Sequence, residues 1–185
     1  MRQIEWIVLH HTLTEDGQTV NWQAIRRYHT EIKKWKDIGY HFGIEKISSH
    51  YEILVGRPLN MPGAHAIGVN QNSIGVAIVG NFNENIPERS LWDKILSFVF
   101  SLAMTFSIPA ERVIGHREVH ILAELGIISE HYKNSGRKSC PGWNFSLNVV
   151  RSRLVDMGIP IRDDGLFARL YQFDKQVVEK KKIFW

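Results

Sequence analysis

Three short segments carry the residues best suited to chemistry. IVLHHT (7–12) is an apolar run that ends in two histidines, His10 and His11. VIGHREV (113–119) is a second apolar run, and it delivers His116. KSCPGW (138–143) sets Cys140, the single cysteine of the chain, before a Pro-Gly pair. Two imidazoles and a thiolate suit zinc, a borderline-soft ion that accepts nitrogen and sulfur in tetrahedral geometry. Three protein ligands leave a fourth position for water, whose pKa falls to about 7 in such sites. The spacing is not that of a zinc finger, and HExxH is absent. Taken alone, Cys140 also fits an inert core residue or a nucleophile. The local signature of papain-like enzymes, however, is missing.

Neighbouring residues on a strand point to opposite faces, so His10 and His11 cannot easily share one ion. One is expected to bind and the other to pack or hydrogen-bond. His41, between Tyr40 and Phe42, reads as structural. His29, His50, His120 and His131 read as surface, packing or capping residues.

The elements that must position these groups follow from periodicity. Ile4–Leu9 is a short, mostly apolar run with three β-branched residues, which predicts a buried strand ending at His10. Asn21 is placed to cap a helix reaching about Trp35, with Trp22, Ile25, His29 and Ile32 on one face. Tyr40–Ile44 and Tyr51–Val55 predict two strands joined by a turn, and Ser73–Val79 predicts another. Pro58–Asn72 reads as a long functional loop. Glu88–Phe106 is apolar nearly all round, which predicts a largely buried helix. Val113 and Ile114 form a short strand, His120–Leu125 a short helix, Ser129–Ser139 a loop, and Phe145–Met157 a helix with Val149, Val150 and Leu154 on one side. The segment after Asp163 has no clear pattern. Strands alternate with helices, so the expected fold is α/β, a central mixed β-sheet flanked by helices with the metal site at strand ends.

Composition narrows the class. The chain has 185 residues, 44% of them hydrophobic and 23% charged, which are ordinary globular values. The net charge of +4 favours anionic partners, and Lys175 and Lys180–Lys182 concentrate it near the end. No basic stripe or nucleic-acid motif accompanies that charge, so nucleic acid is not an expected partner. The longest apolar run, near Ile95–Met104, is too short to span a bilayer, and membrane insertion is not expected. No signal peptide is visible, so the expectation is synthesis in the cytoplasm and action on an external target only after release.

In order along the chain, IVLHHT, GYHFGI (39–44), GAHAIGVNQNSIGVAIVGNF (63–82), GHRE (115–118) and KSCPGW resemble the N-acetylmuramoyl-L-alanine amidase type 2 family. That family includes amidase-type phage lysozymes and peptidoglycan recognition proteins. The resemblance covers about Ile4–Leu154. It implies a domain over 1–160, with 161–185 as a basic C-terminal extension.

The resemblance also implies hydrolysis of the amide between the lactyl group of N-acetylmuramic acid and L-alanine in peptidoglycan. It implies Zn2+ as cofactor, held by His10, His116 and Cys140. Tyr40 matches the tyrosine that orients the attacking water, and Lys138 the lysine that stabilises the oxyanion. His65 and Asn70 fall in the loop expected to line the substrate groove. A peptidoglycan or muropeptide partner and a monomeric state are expected. One departure stands out: His116 and Cys140 are 24 positions apart, more than in the phage-type members. The added stretch, about 120–137, would lie beside the site. It also raises His120 as an alternative ligand, although His116 follows its strand and Gly115 directly. Rival readings are a non-catalytic peptidoglycan-binding module and a cytoplasmic amidase that recycles muropeptides.

Overall fold

The computed structural model describes residues 2–14, 21–132 and 138–182, the last stretch as backbone only at 178 and 180–182. Five strands form one sheet: β1 (Trp6–His11), β2 (Phe42–Ile47), β3 (His50–Val55), β4 (Ser73–Ile78) and β5 (Val113–Gly115). Their order is β3-β2-β4-β1-β5. The β1–β4, β1–β5 and β2–β4 pairs are parallel, and only β2–β3 is antiparallel. This is the mixed sheet flanked by helices that the sequence predicts. Every residue of β1 and β4 is buried, as parallel strands covered on both faces require.

The alternation along β1 sorts the two layers. Ile7 and Leu9 join Ile74, Val76 and Ile78 of β4 against helix α2 (Arg89–Phe106) and helix α4 (Leu147–Asp156). Trp6 and Val8 face the other way, onto helix α3 (Val119–Glu124) and helix α5 (Asp164–Lys182). Trp22 of helix α1 (Trp22–Arg27) and Ile38 cluster with Ala77 of β4.

Several expectations need correction. Asn21 does cap α1, accepting from the Ala24 N–H, but the regular helix ends at Arg27. A π turn over Tyr28–Ile32 follows. Its extra residue breaks the 3.6 period, so Ile32 turns outward and is exposed instead of continuing the Trp22 face. Helix α2 buries one stripe, Leu91, Ile95, Val99, Leu102 and Ala103, because a helix on one face of a sheet has only one side to cover. Val149 is exposed for the same reason, while Leu147, Val150, Arg151 and Leu154 of α4 are buried. No helix among the described residues is long and apolar enough to cross a membrane.

The segment after Asp163 is α5, and its inner face is part of the core. Leu166 and Leu170 are buried against Val119, Ile121 and Leu122. One turn further on, Asp174 is fully buried and meets the Arg117 guanidinium at 2.6 Å. Its other oxygen accepts from Ser146 Oγ and the Asn148 N–H, at the start of α4. Of the basic residues near the end, Lys175 is exposed on this helix, and the side chains of Lys180–Lys182 lie outside the described residues.

Removing one partner of a buried ion pair leaves an uncompensated charge, a loss of about 3–5 kcal/mol. Asp174→Ala is expected to destabilise the fold by that amount, measured by urea unfolding. An unchanged unfolding midpoint would show that Arg117 finds another partner.

Candidate metal centre

The next-to-last residue of β1, the first residue after β5 and a loop cysteine converge. His10, His116 and Cys140 each offer a ligand atom, and these atoms lie within 4.8 Å of one another. The His10 and His116 rings are 4.7 Å apart between centroids. Cys140 Sγ is 3.5 Å from His10 Nδ1 and 3.9 Å from the His11 carbonyl oxygen. The sets of atoms and the distances fit one divalent ion of zinc's preference.

The pairing of β1 with β4 and β5 places His10. His11, the next residue, belongs to the opposite face. Its Nδ1 accepts from the Phe82 N–H and its ring stacks on Phe82. His116 opens a short 3₁₀ turn directly after β5. His120 is one turn further on and packs against Phe173 of α5, at 5.2 Å between ring centroids. The structure therefore brings His116, and not His120, to His10 and Cys140.

Arg117 fixes the cysteine loop. Its backbone N–H donates to the Cys140 carbonyl at 2.8 Å. Its buried guanidinium donates to the carbonyls of Ser139, Gly142 and Phe145 and to Asp174. The Cys140–Pro141 peptide is cis. Gly142 has φ of 113°, and a Cβ there would stand 2.4 Å from the Phe82 backbone, so this turn needs glycine. A second buried pair, Glu118 with Arg151, lies beneath β5, and the Glu118 carboxylate also accepts from the Gly115 N–H.

The electrostatics favour lone-pair donors. Burial, then the neighbouring histidines and Lys138, pushes His10 well below the usual imidazole range. Burial and Lys138 bring His116 down to about 4. Both rings are therefore neutral at pH 7, the form that binds a metal. Burial pushes the Cys140 thiol up to about 12, against the pull of Arg117 and Lys138. A divalent cation bound here would take the place of the thiol proton and balance the charge of the resulting thiolate.

The other residues singled out in the sequence fall around this group. The Tyr40 ring is 5.1 Å from His10, and burial and Cys140 raise its phenol above the ordinary value. Lys138 is exposed two residues before Cys140, close enough for its charge to act on both histidines. His65 is buried and its Nδ1 lies 3.0 Å from His10 Nε2, so it stands behind a candidate ligand. The Asn70 side-chain oxygen accepts from the backbone N–H groups of His65 and Ala66 and holds that loop. Ile128 and Tyr132, from the stretch expected beside the site, lie against Gly68 of the same loop, while 133–137 lie outside the described residues.

Three further histidines make contacts of their own. His41 accepts from the Gly75 N–H, His29 accepts from the Gly39 N–H and stacks on Trp35, and the exposed His50 meets Glu52. Sequence reasoning missed Ser73, Arg117 and Asp174. A buried arginine beside His116 was in view within GHRE, but its partners are distant in sequence.

Comparison with known proteins agrees with this fold. The N-acetylmuramoyl-L-alanine amidase family profile matches residues 1–143. Peptidoglycan-recognition protein SC2 of Drosophila melanogaster is 38% identical over 155 residues, covering 80% of this chain and 73% of that protein. The endolysin of Enterobacteria phage T3 is 39% identical over 80 residues, 43% of this chain and 50% of that one. The chain spans only 23% of the length of an N-acetylmuramoyl-L-alanine amidase of Mus musculus. The solved N-acetylmuramoyl-L-alanine amidase LysC from Clostridium intestinale superposes with a TM-score of 0.65 at 29% identity, covering 83% of this chain and 86% of that one. With the fold, the three converging donors and a family match across most of its length, the chain belongs to the N-acetylmuramoyl-L-alanine amidase family.

Proposed function

We propose that this chain is a zinc-dependent amidase that hydrolyses the bond between the lactyl carbonyl of N-acetylmuramic acid and the nitrogen of L-alanine in peptidoglycan. The observation that carries this reading is the convergence of His10, His116 and Cys140. When bound there, zinc supplies Lewis-acid polarisation of the carbonyl and activation of water.

The chain's own residues do the rest. His10 and His116 hold their lone pairs free because burial keeps both rings neutral. Water adds across the C–N bond, its oxygen going to the lactyl carbon and a proton to the departing amine. Negative charge gathers on the carbonyl oxygen during that addition, and the Lys138 ammonium beside the histidines offsets it. Tyr40, still protonated at neutral pH, has an O–H to orient water or substrate beside His10. The binding-module reading shares the fold, but it gives no role to a thiol set between two neutral histidines. A relative named as an endolysin supports the reading that the target is the cell wall.

The test is digestion of intact peptidoglycan and of soluble muropeptides, with and without chelator, followed by mass analysis. Free stem peptides beginning in L-alanine, lost on chelation and restored by zinc, are the expected products. Glycan cleavage, or no product at all, overturns the reading. Cys140→Ser is expected to lose most zinc and activity with the fold kept by circular dichroism, and full activity in that variant removes Cys140 from the ligand set. Lys138→Ala is expected to lower kcat by about a hundredfold or more at unchanged zinc content; an unchanged kcat removes Lys138 from the mechanism.

A further inference from the structure

His10 has two ring nitrogens, and only one can hold a metal while the other holds its proton. Behind it lies a chain of contacts with a fixed direction. The Ser73 hydroxyl donates to the Val69 carbonyl at 2.6 Å. Its single proton is thereby used, so toward His65 Nε2, at 3.3 Å, Ser73 Oγ acts as an acceptor. His65 Nε2 must then carry the ring proton, and His65 Nδ1 keeps a lone pair. That lone pair faces His10 Nε2 at 3.0 Å, so His10 carries its proton on Nε2. His10 Nδ1 is left bare, 3.5 Å from Cys140 Sγ.

The slot that holds His65 is built for a ring in this place. A Cβ on Gly63 would stand 2.3 Å from the His65 ring, and one on Gly75 2.4 Å from it. Asn70 anchors the backbone of His65 and Ala66 from the loop side. Ser73 and His65 are both buried, so water does not compete for these contacts.

We propose that Ser73 and His65 are positioning residues of the metal centre: the relay Val69–Ser73–His65 locks His10 in the tautomer that leaves Nδ1 as its donor atom. This deepens the metal-site reading above and rests on it for the consequence, while the tautomer itself belongs to the metal-free chain. Partners behind a metal-binding histidine fix its tautomer and ring orientation, and losing them typically weakens metal binding by about 10–100-fold. Here the partner is a second imidazole, whose own proton position depends on a serine.

Long-range proton–nitrogen correlation spectra of the metal-free, 15N-histidine-labelled protein test the relay directly. His10 and His65 are both expected as Nε2–H tautomers. In Ser73→Ala the His65 ring loses its acceptor, and His10 is expected to show a population protonated on Nδ1. Zinc affinity, measured by competition with a chromogenic chelator, is expected to fall by about 10–100-fold in Ser73→Ala and His65→Leu. His65→Asn keeps an oxygen acceptor near the place of Nδ1 and is expected to recover most of that loss. An Nδ1–H His10 in the wild-type chain overturns the proposal. So do folded Ser73→Ala and His65→Leu variants that bind zinc as the wild type does, or a His65→Asn no better than His65→Leu. Wild-type protein that shows the expected tautomers but takes up no zinc overturns the amidase reading instead and leaves the relay standing.

Discussion

The buried guanidinium of Arg117 is the interaction on which the rest of the site depends. It follows His116 directly, and it reaches three carbonyls of the cysteine loop as well as the carboxylate of Asp174. One side chain therefore couples the strand end that carries an imidazole, the loop that carries the thiol, and the C-terminal helix. Planar guanidinium geometry suits this task, because its donors point in fixed directions and its charge persists when buried. The Asp174 carboxylate keeps that charge from being an isolated one in a dry interior.

Around this clamp, hydrogen bonds support His10 from behind and the cysteine loop from beneath. His10 is backed by His65, His65 by Ser73, and the cysteine loop by Arg117. The three donors come from elements far apart in sequence. Their mutual distances are set by sheet register on one side and by Arg117 on the other. Glycine at 63 and 75 leaves the volume that the His65 ring occupies. The three candidate donors are in this way placed by rigid strands and by backbone contacts, which holds geometry better than a free loop.

Much of this was legible in the sequence. Strand positions, the mixed sheet and the alternation of His10 and His11 follow from period-two patterning and short β-branched runs. The cap at Asn21 follows from side-chain chemistry. What periodicity could not give is the π turn after Arg27, because a one-residue insertion leaves no local signature in the pattern. Helix α5 was also missed. Its buried positions include Asp174, which reads as a surface residue until Arg117 is known to be its partner. The same holds for Ser73: a serine opening a strand carries no sign that its hydroxyl directs a proton two rings away. Resemblance to the family supplied the grouping of His10, His116 and Cys140, which spacing alone left open.

The separation along the chain between the parts of the centre has a consequence for how the protein is made. His10 and Cys140 are 130 positions apart, and Arg117 and Asp174 are 57 apart. Such contacts close large loops and form late, after local helices and the β2–β3 hairpin. On the ribosome the histidine strand emerges first, and the aspartate that completes the clamp emerges only when almost all of the described chain has been synthesised. Until then the Arg117 guanidinium lacks the carboxylate that balances its charge in the folded protein. The chain thus withholds a finished centre until its last helix has docked.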